Sequence, residues 1–142
     1  MATESSYPYT SGTTGATGSC KSFSTSGGKV NNWDYAISPY NCFNCGSQSE
    51  ATMASTLASY QPLSVAVDAS AWSSYTGGVF PASACSSSSF KQNHAVVAVG
   101  YTSSYWIVRN SWGTSWGNAG YIYLAYGSNT CGVADTVTYV SV

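Results

Sequence analysis

The chain has 142 residues and a formal net charge of -1, from four Lys or Arg against five Asp or Glu. Charged side chains are 6% of the total, where about a quarter is usual. So few cations exclude the phosphate-neutralising patch of a nucleic-acid binder and the polybasic patch of a membrane-surface binder, while 44% hydrophobic and 15% aromatic content excludes an intrinsically disordered chain.

Taken in order, residues 1–29 read as loop: Ser, Thr, Gly and Tyr surround Cys20 and end in Gly27-Gly28. The first ten residues, MATESSYPYT, have neither a basic nor an apolar stretch, so they do not read as a signal peptide. Residues 29–37 alternate loosely, with Val30, Trp33, Tyr35 and Ile37, and predict a short strand before Pro39. Ser47 and Glu50 have the spacing of a capping box. They predict a helix over about 48–59, with Met53, Ala54, Leu57 and Ala58 on its apolar stripe and Pro62 as its stop.

Leu63–Val67 predicts a buried strand, and Gly77-Gly78 a turn into a short extended piece at Val79-Phe80. Ser86–Ser89 is a surface loop. The strongest strand signals follow. Ala95–Val99 is a continuous apolar run suited to burial on both faces, Tyr105–Arg109 follows a short turn, Tyr121–Ala125 is a third strand, and residues 136–142 alternate as a fourth. Short strands joined by Gly/Ser turns predict an antiparallel, barrel-like sheet. No apolar run reaches the length of about 18–20 residues that spans a bilayer.

Five cysteines, at 20, 42, 45, 85 and 131, in a hydroxyl-rich chain favour disulfides and an oxidising compartment. An odd count leaves at least one thiol without a partner in the chain. The Cys42-Phe43-Asn44-Cys45 spacing suits a local disulfide or an inert pair. A zinc half-site would need a second ligand pair, and a redox motif would need a βαβ setting; the sequence offers neither. No metal and no organic cofactor is implied.

The chemistry concentrates around the single histidine. Asn93-His94-Ala95-Val96 opens the longest apolar run, and Asn110-Ser111-Trp112-Gly113-Thr114-Ser115-Trp116-Gly117 follows the next strand. A histidine poised to exchange a proton needs an acceptor that fixes its tautomer and ring plane, which an asparagine carbonyl can supply. These two segments closely resemble the histidine and asparagine segments of papain-family cysteine peptidases, the cathepsins among them. The resemblance extends to Gln61–Ala69, Tyr75–Phe80, Cys131–Ala134, Glu4–Tyr9 and Cys20-Lys21, in family order over nearly the whole chain.

That resemblance implies an α+β fold, the β-rich right-hand domain of the papain architecture, with an antiparallel barrel-like sheet and one short helix. All of 1–142 would be the C-terminal half, 1–29 its crossing loop, and the helical left-hand domain would lie outside this chain. By resemblance His94 is the general acid/base, Asn110 its orienter, and Trp112 the indole shielding their hydrogen bond. Ala66, Ala95 and Thr136 match a substrate-pocket wall and are small or neutral, which suits apolar substrate side chains. The family pattern pairs Cys85 with Cys131 and gives Cys20 a partner in the N-terminal half; the Cys42–Cys45 pair has no family counterpart. Trp116, Gly113, Gly117 and Gly120 read as loop packing and turns.

The family's nucleophile signature, a glutamine and then a C-G-S-C-W-like stretch, has no match. Cys45-Gly46-Ser47 echoes it, but Gln48 stands where the second cysteine belongs and no tryptophan follows. The resemblance thus implies the C-terminal part of a secreted or lysosomal cysteine endopeptidase. It would act on peptides or proteins beside an N-terminal papain-like half that carries the cysteine, and would be inactive alone. The alternative is a non-catalytic papain-like component of an extracellular assembly, suggested by the charge-poor, Tyr-rich composition. The expected location is extracellular, or lysosomal or vacuolar.

Overall fold

In a computed structural model the structure describes residues 2–25, 28–37 and 49–142. Two compact units are present: Met1–Asn32 with Ser141–Val142, and Trp33–Val140. The first is mostly irregular and exposed, with a four-residue helix α1 at Ser11–Thr14, where only loop was expected, ended by Gly15 at φ 65°. Its local order comes from Tyr7, whose ring meets Phe23 edge-on at 5.2 Å and whose hydroxyl accepts the Lys21 N–H at 3.2 Å.

The remaining elements are β1 (Asn32–Tyr35), α2 (Glu50–Ser59), β2 (Leu63–Val67), β3 (Val79–Phe80), β4 (His94–Tyr101), β5 (Tyr105–Arg109), β6 (Tyr121–Ala125) and β7 (Val137–Ser141). They form a seven-stranded sheet in the order β1-β7-β2-β4-β5-β6-β3. β2 with β4, β4 with β5, and β5 with β6 pair antiparallel, as expected. The sheet is nevertheless mixed, because β3 runs parallel to β6: the chain reaches β3 before the β4–β5–β6 meander and returns beside it from the far side.

Alternation builds the core. Leu63, Val65 and Val67 of β2 face the same layer as Val96 and Ala98 of β4, Trp106 and Val108 of β5, and Ile122 and Leu124 of β6, all buried. Met53 and Leu57 of α2 close the layer. The expectation that Ala95–Val99 is buried on both faces is corrected: Ala95 is exposed, and Val97 and Val99 are half-buried. One face of β4 belongs to the core, and the other carries apolar side chains without being sealed.

The start of α2 also differs. Ser49 is its N-cap, accepting the Thr52 N–H at 3.1 Å; Ser47, the expected cap, lies outside the described residues. Glu50 has three partners among the described residues. Its carboxylate turns into the core and accepts Trp106 Nε1–H at 2.6 Å, Gly127 N–H at 3.0 Å and Asn129 N–H at 2.6 Å. A buried carboxylate needs all three donors. Ala58, expected on the buried stripe, is exposed.

Candidate active site

His94 opens β4 directly opposite Val67 of β2, and Asn110 follows the last residue of β5. The β4–β5 pairing therefore brings two residues 16 apart in sequence to one end of the sheet. His94 Nε2 and Asn110 Oδ1 are 2.8 Å apart. The same Oδ1 accepts the Ser111 N–H at 2.8 Å, which fixes the amide's orientation, since only an oxygen takes a backbone donor. The ring proton therefore sits on Nε2. The other ring nitrogen, Nδ1, has no hydrogen-bond partner among the described residues. Asn110 is buried, and its Nδ2 also lacks a partner among them.

Three indoles surround the pair. Trp112 lies tilted over the imidazole, ring centres 5.1 Å apart, and is 41% exposed. Trp72, fully buried, meets the imidazole edge-on at 6.2 Å and stacks on Trp116. Trp116 meets Trp112 edge-on at 5.1 Å, and its Nε1–H donates to the Trp72 carbonyl. Trp116 thus packs and ties the loop, as its sequence setting suggested. Gly117 turns that loop at φ 57°, where a Cβ would sit 2.7 Å from the Tyr121 carbonyl oxygen; no other residue fits there.

Beside the histidine, Ala66 and Ala95 pair across β2 and β4, and Thr136 joins them through its carbonyl, which accepts the Ala66 N–H. Gln92 locks this strip: its Nε2 donates to the Ala66 and Gly132 carbonyls, and its Oε1 accepts the Thr136 hydroxyl. Below it a disulfide joins Cys85 to Cys131, with the sulfurs 2.04 Å apart. Cys20 is an exposed free thiol in the first unit, while Cys42 and Cys45 lie outside the described residues. No group of three or more His, Cys, Asp or Glu among the described residues could hold a metal ion.

Two buried carboxyls flank the site. Burial raises the Asp68 carboxyl, but hydrogen bonds from the Ser70 hydroxyl, the Ser86 and Ser70 N–H groups and Asn93 together hold it below the usual carboxylate range. Burial pushes the Asp135 carboxyl up, only partly offset by the bond from Asn129 Nδ2. The Asp135 Oδ2 has no partner among the described residues.

A family model described as papain family cysteine protease matches residues 1–141. The chain belongs to the papain family. Its relatives include cysteine proteinase 1 of Dictyostelium discoideum, 40% identical over 96% of this chain and 38% of that protein. Mouse cathepsin O is 38% identical over 100% of this chain and 43% of that protein. The chain therefore spans about two fifths of the length of these papain-family relatives. Among solved papain-like structures, a Carica candamarcensis cysteine protease superposes with a TM-score of 0.78 at 30% identity, covering 99% of this chain and 61% of that one. Bromelain from Ananas comosus gives 0.76 at 35%, covering 99% and 62%. The mixed sheet, with one substantial helix among the described residues, is the right-hand domain of the papain fold.

Against that fold the sequence-predicted residues sort cleanly. His94, Asn110 and Trp112 come together, Ala66, Ala95 and Thr136 form one strip, and Cys85 meets Cys131. Trp72, Asp68 and Gln92 were not singled out. Asp68 and Gln92 sit inside or beside the recognised papain-family segments, so an unpaired acid at the end of a buried strand was the available signal. Trp72 had none: its ring partners lie 22 to 59 positions away.

Proposed function

We propose that this chain supplies the histidine and the asparagine of a papain-family cysteine endopeptidase, and that the nucleophilic cysteine belongs to an N-terminal papain-like half outside the 142 residues. The observation that carries the reading is the 2.8 Å bond between His94 Nε2 and Asn110 Oδ1. With Nε2 committed to the asparagine, Nδ1 is left to hold a thiol's proton. An imidazolium there lowers the thiol's pKa and keeps it as thiolate. The thiolate attacks a peptide carbonyl, His94 hands its proton to the leaving amine, and the resulting thioester is hydrolysed by a water that His94 deprotonates. Trp112, lying over the ring, keeps water from the His94–Asn110 bond and strengthens it.

No cysteine described in the chain suits the nucleophile's role. Cys85 and Cys131 are spent on each other, and nothing in the recognised family pattern gives Cys20 that part. The outward face of the sheet also supports an absent half. Val97, Ile107, Tyr121 and Tyr123 stand on it, half-buried and apolar or aromatic, with the exposed Arg109 and Ser64 among them, where the outward face of a solvated antiparallel sheet is mostly polar. The Ala66–Ala95–Thr136 strip, small and close to His94 in the pairing of β2 with β4, suits an apolar side chain of a peptide substrate. The Cys85–Cys131 disulfide supports an extracellular, lysosomal or vacuolar location. No helix among the described residues is long and apolar enough to cross a membrane.

A thiol-directed peptidyl epoxide tests the reading. Intact native protein is expected to form an adduct on a cysteine outside residues 1–142, and His94→Ala is expected to abolish it. The pure 142-residue chain is expected to hydrolyse no peptide substrate. Hydrolysis by that chain alone would overturn the division of labour, and intact protein that never labels would point to the non-catalytic alternative.

A further inference from the structure

The indole of Trp72 has a single acceptor for its buried N–H, and that acceptor is a disulfide sulfur: Nε1 lies 3.4 Å from Cys131 Sγ. A buried indole N–H normally finds an oxygen. Here the core offers sulfur, a weak acceptor, and Cys131 is itself fully buried. The other side of the same indole is the wall against which His94 stands, edge-on at 6.2 Å, with Trp112 on the solvent side of the imidazole. What fixes the plane of Trp72 therefore fixes one wall of the histidine's slot.

Cys131 also holds the backbone that leads into His94. Its carbonyl accepts the Asp68 N–H at 2.9 Å. The Asp68 carboxylate accepts the N–H of Ser86, the residue after Cys85, at 2.8 Å and the Ser70 hydroxyl at 2.6 Å. The Ser70 hydroxyl in turn accepts from Asn93 Nδ2 at 2.9 Å, and Asn93 Oδ1 accepts the Ala69 N–H at 3.0 Å. Asn93 immediately precedes His94. Ring and backbone of the histidine are thus both tied to the two ends of one disulfide.

We propose that Trp72 is a positioning residue for His94, and that the Cys85–Cys131 disulfide sets the His94–Asn110 geometry through the indole N–H. Opening the disulfide with a dithiol breaks one S–S bond. The dithiol gives up two electrons and two protons and closes to its own disulfide, leaving two thiols in the protein. Cys131 Sγ, no longer bonded to Cys85, is free to rotate, and the indole loses its fixed acceptor. His94 then has a looser wall, and its Nε2–H meets Asn110 Oδ1 for a smaller share of the time. The proposal rests on the reading of His94 as the site's acid/base, but its test does not use activity, so the two fail separately.

His94 is the only histidine of the 142 residues, so ¹⁵N labelling of histidine in this chain gives one pair of ring-nitrogen signals. Their separation, read above the ring's titration, reports how fully the proton stays on Nε2. In the oxidised full chain a wide separation is expected. Trp72→Phe, which keeps an aromatic ring and deletes the N–H, is expected to narrow it, and so is dithiothreitol treatment of the wild type. Adding dithiothreitol to Trp72→Phe is expected to change nothing more, because the link is already cut. Backbone amide spectra check that the sheet is intact in each sample. Where reduction unfolds the chain, the oxidised Trp72→Phe spectrum decides alone. Unchanged His94 signals in oxidised Trp72→Phe would overturn the proposal, as would a full response of that variant to reduction.

Discussion

Asp68 and Asp135 are both buried, yet their environments push them in opposite directions. Burial disfavours each charge, but Asp68 is met by four donor groups and Asp135 by one. The consequences for stability have opposite signs. A carboxyl depressed in the folded state contributes stability that is fully present above the unfolded value of about 4 and is lost as pH falls through the folded value. A raised carboxyl contributes stability that is fully present below about 4 and is lost as pH rises through its folded value. Asp68→Asn is therefore expected to be destabilised at neutral pH and to converge on the wild type under acid. Asp135→Asn is expected to gain on the wild type as pH rises from about 4. Thermal midpoints of both variants, measured across the acid range, check both signs.

At the scale of elements, α2 shows how little a helix owes to its own sequence. Its stability rests on a hydroxyl cap at Ser49, on Met53 and Leu57 in the core, and on Glu50 spanning to the turn after β6. Ser49→Ala is expected to cost about 1 kcal/mol and Leu57→Ala about 2–5 kcal/mol, read as shifts in urea midpoint. The strands were legible because each is a short run of apolar residues between Gly, Ser or Pro breaks, and β2, β3, β5 and β6 begin and end where those runs do. The start of α2 was not, because Ser47 and Ser49 offer the same hydroxyl and sequence spacing alone does not choose between them. Glu50 misled for a related reason: its donors lie 56 to 79 residues away. Local spacing suggested a cap, and tertiary structure supplied three partners that spacing could not show. The His94–Asn110 pair was legible through resemblance. The indole behind it was not, since nothing near Trp72 in sequence marks what its ring touches.

For the molecule as a whole, the shortage of charge has a mechanical consequence once the disulfide is placed. A Lys- or Arg-directed protease has four residues to cut after, and they differ in access. Lys21 and Lys29 are exposed in the first unit, and Lys91 is exposed in the single turn Ser89–Lys91. Arg109 lies within β5, bonded to β4 on one side and β6 on the other. Limited trypsin digestion of the folded chain is expected to cut at the first three and spare Arg109. The Lys91 cut falls between Cys85 and Cys131, so it divides the sheet's polypeptide without releasing a fragment. On a gel without reductant residues 30–142 should run as one band, and with reductant as two, 30–91 and 92–142, apart from the short pieces 1–21 and 22–29 freed by the other two cuts. Two bands without reductant would mean the bridge is not formed. A single covalent staple thus lets a backbone be severed a few residues before His94 while both cut ends stay anchored to the same sheet.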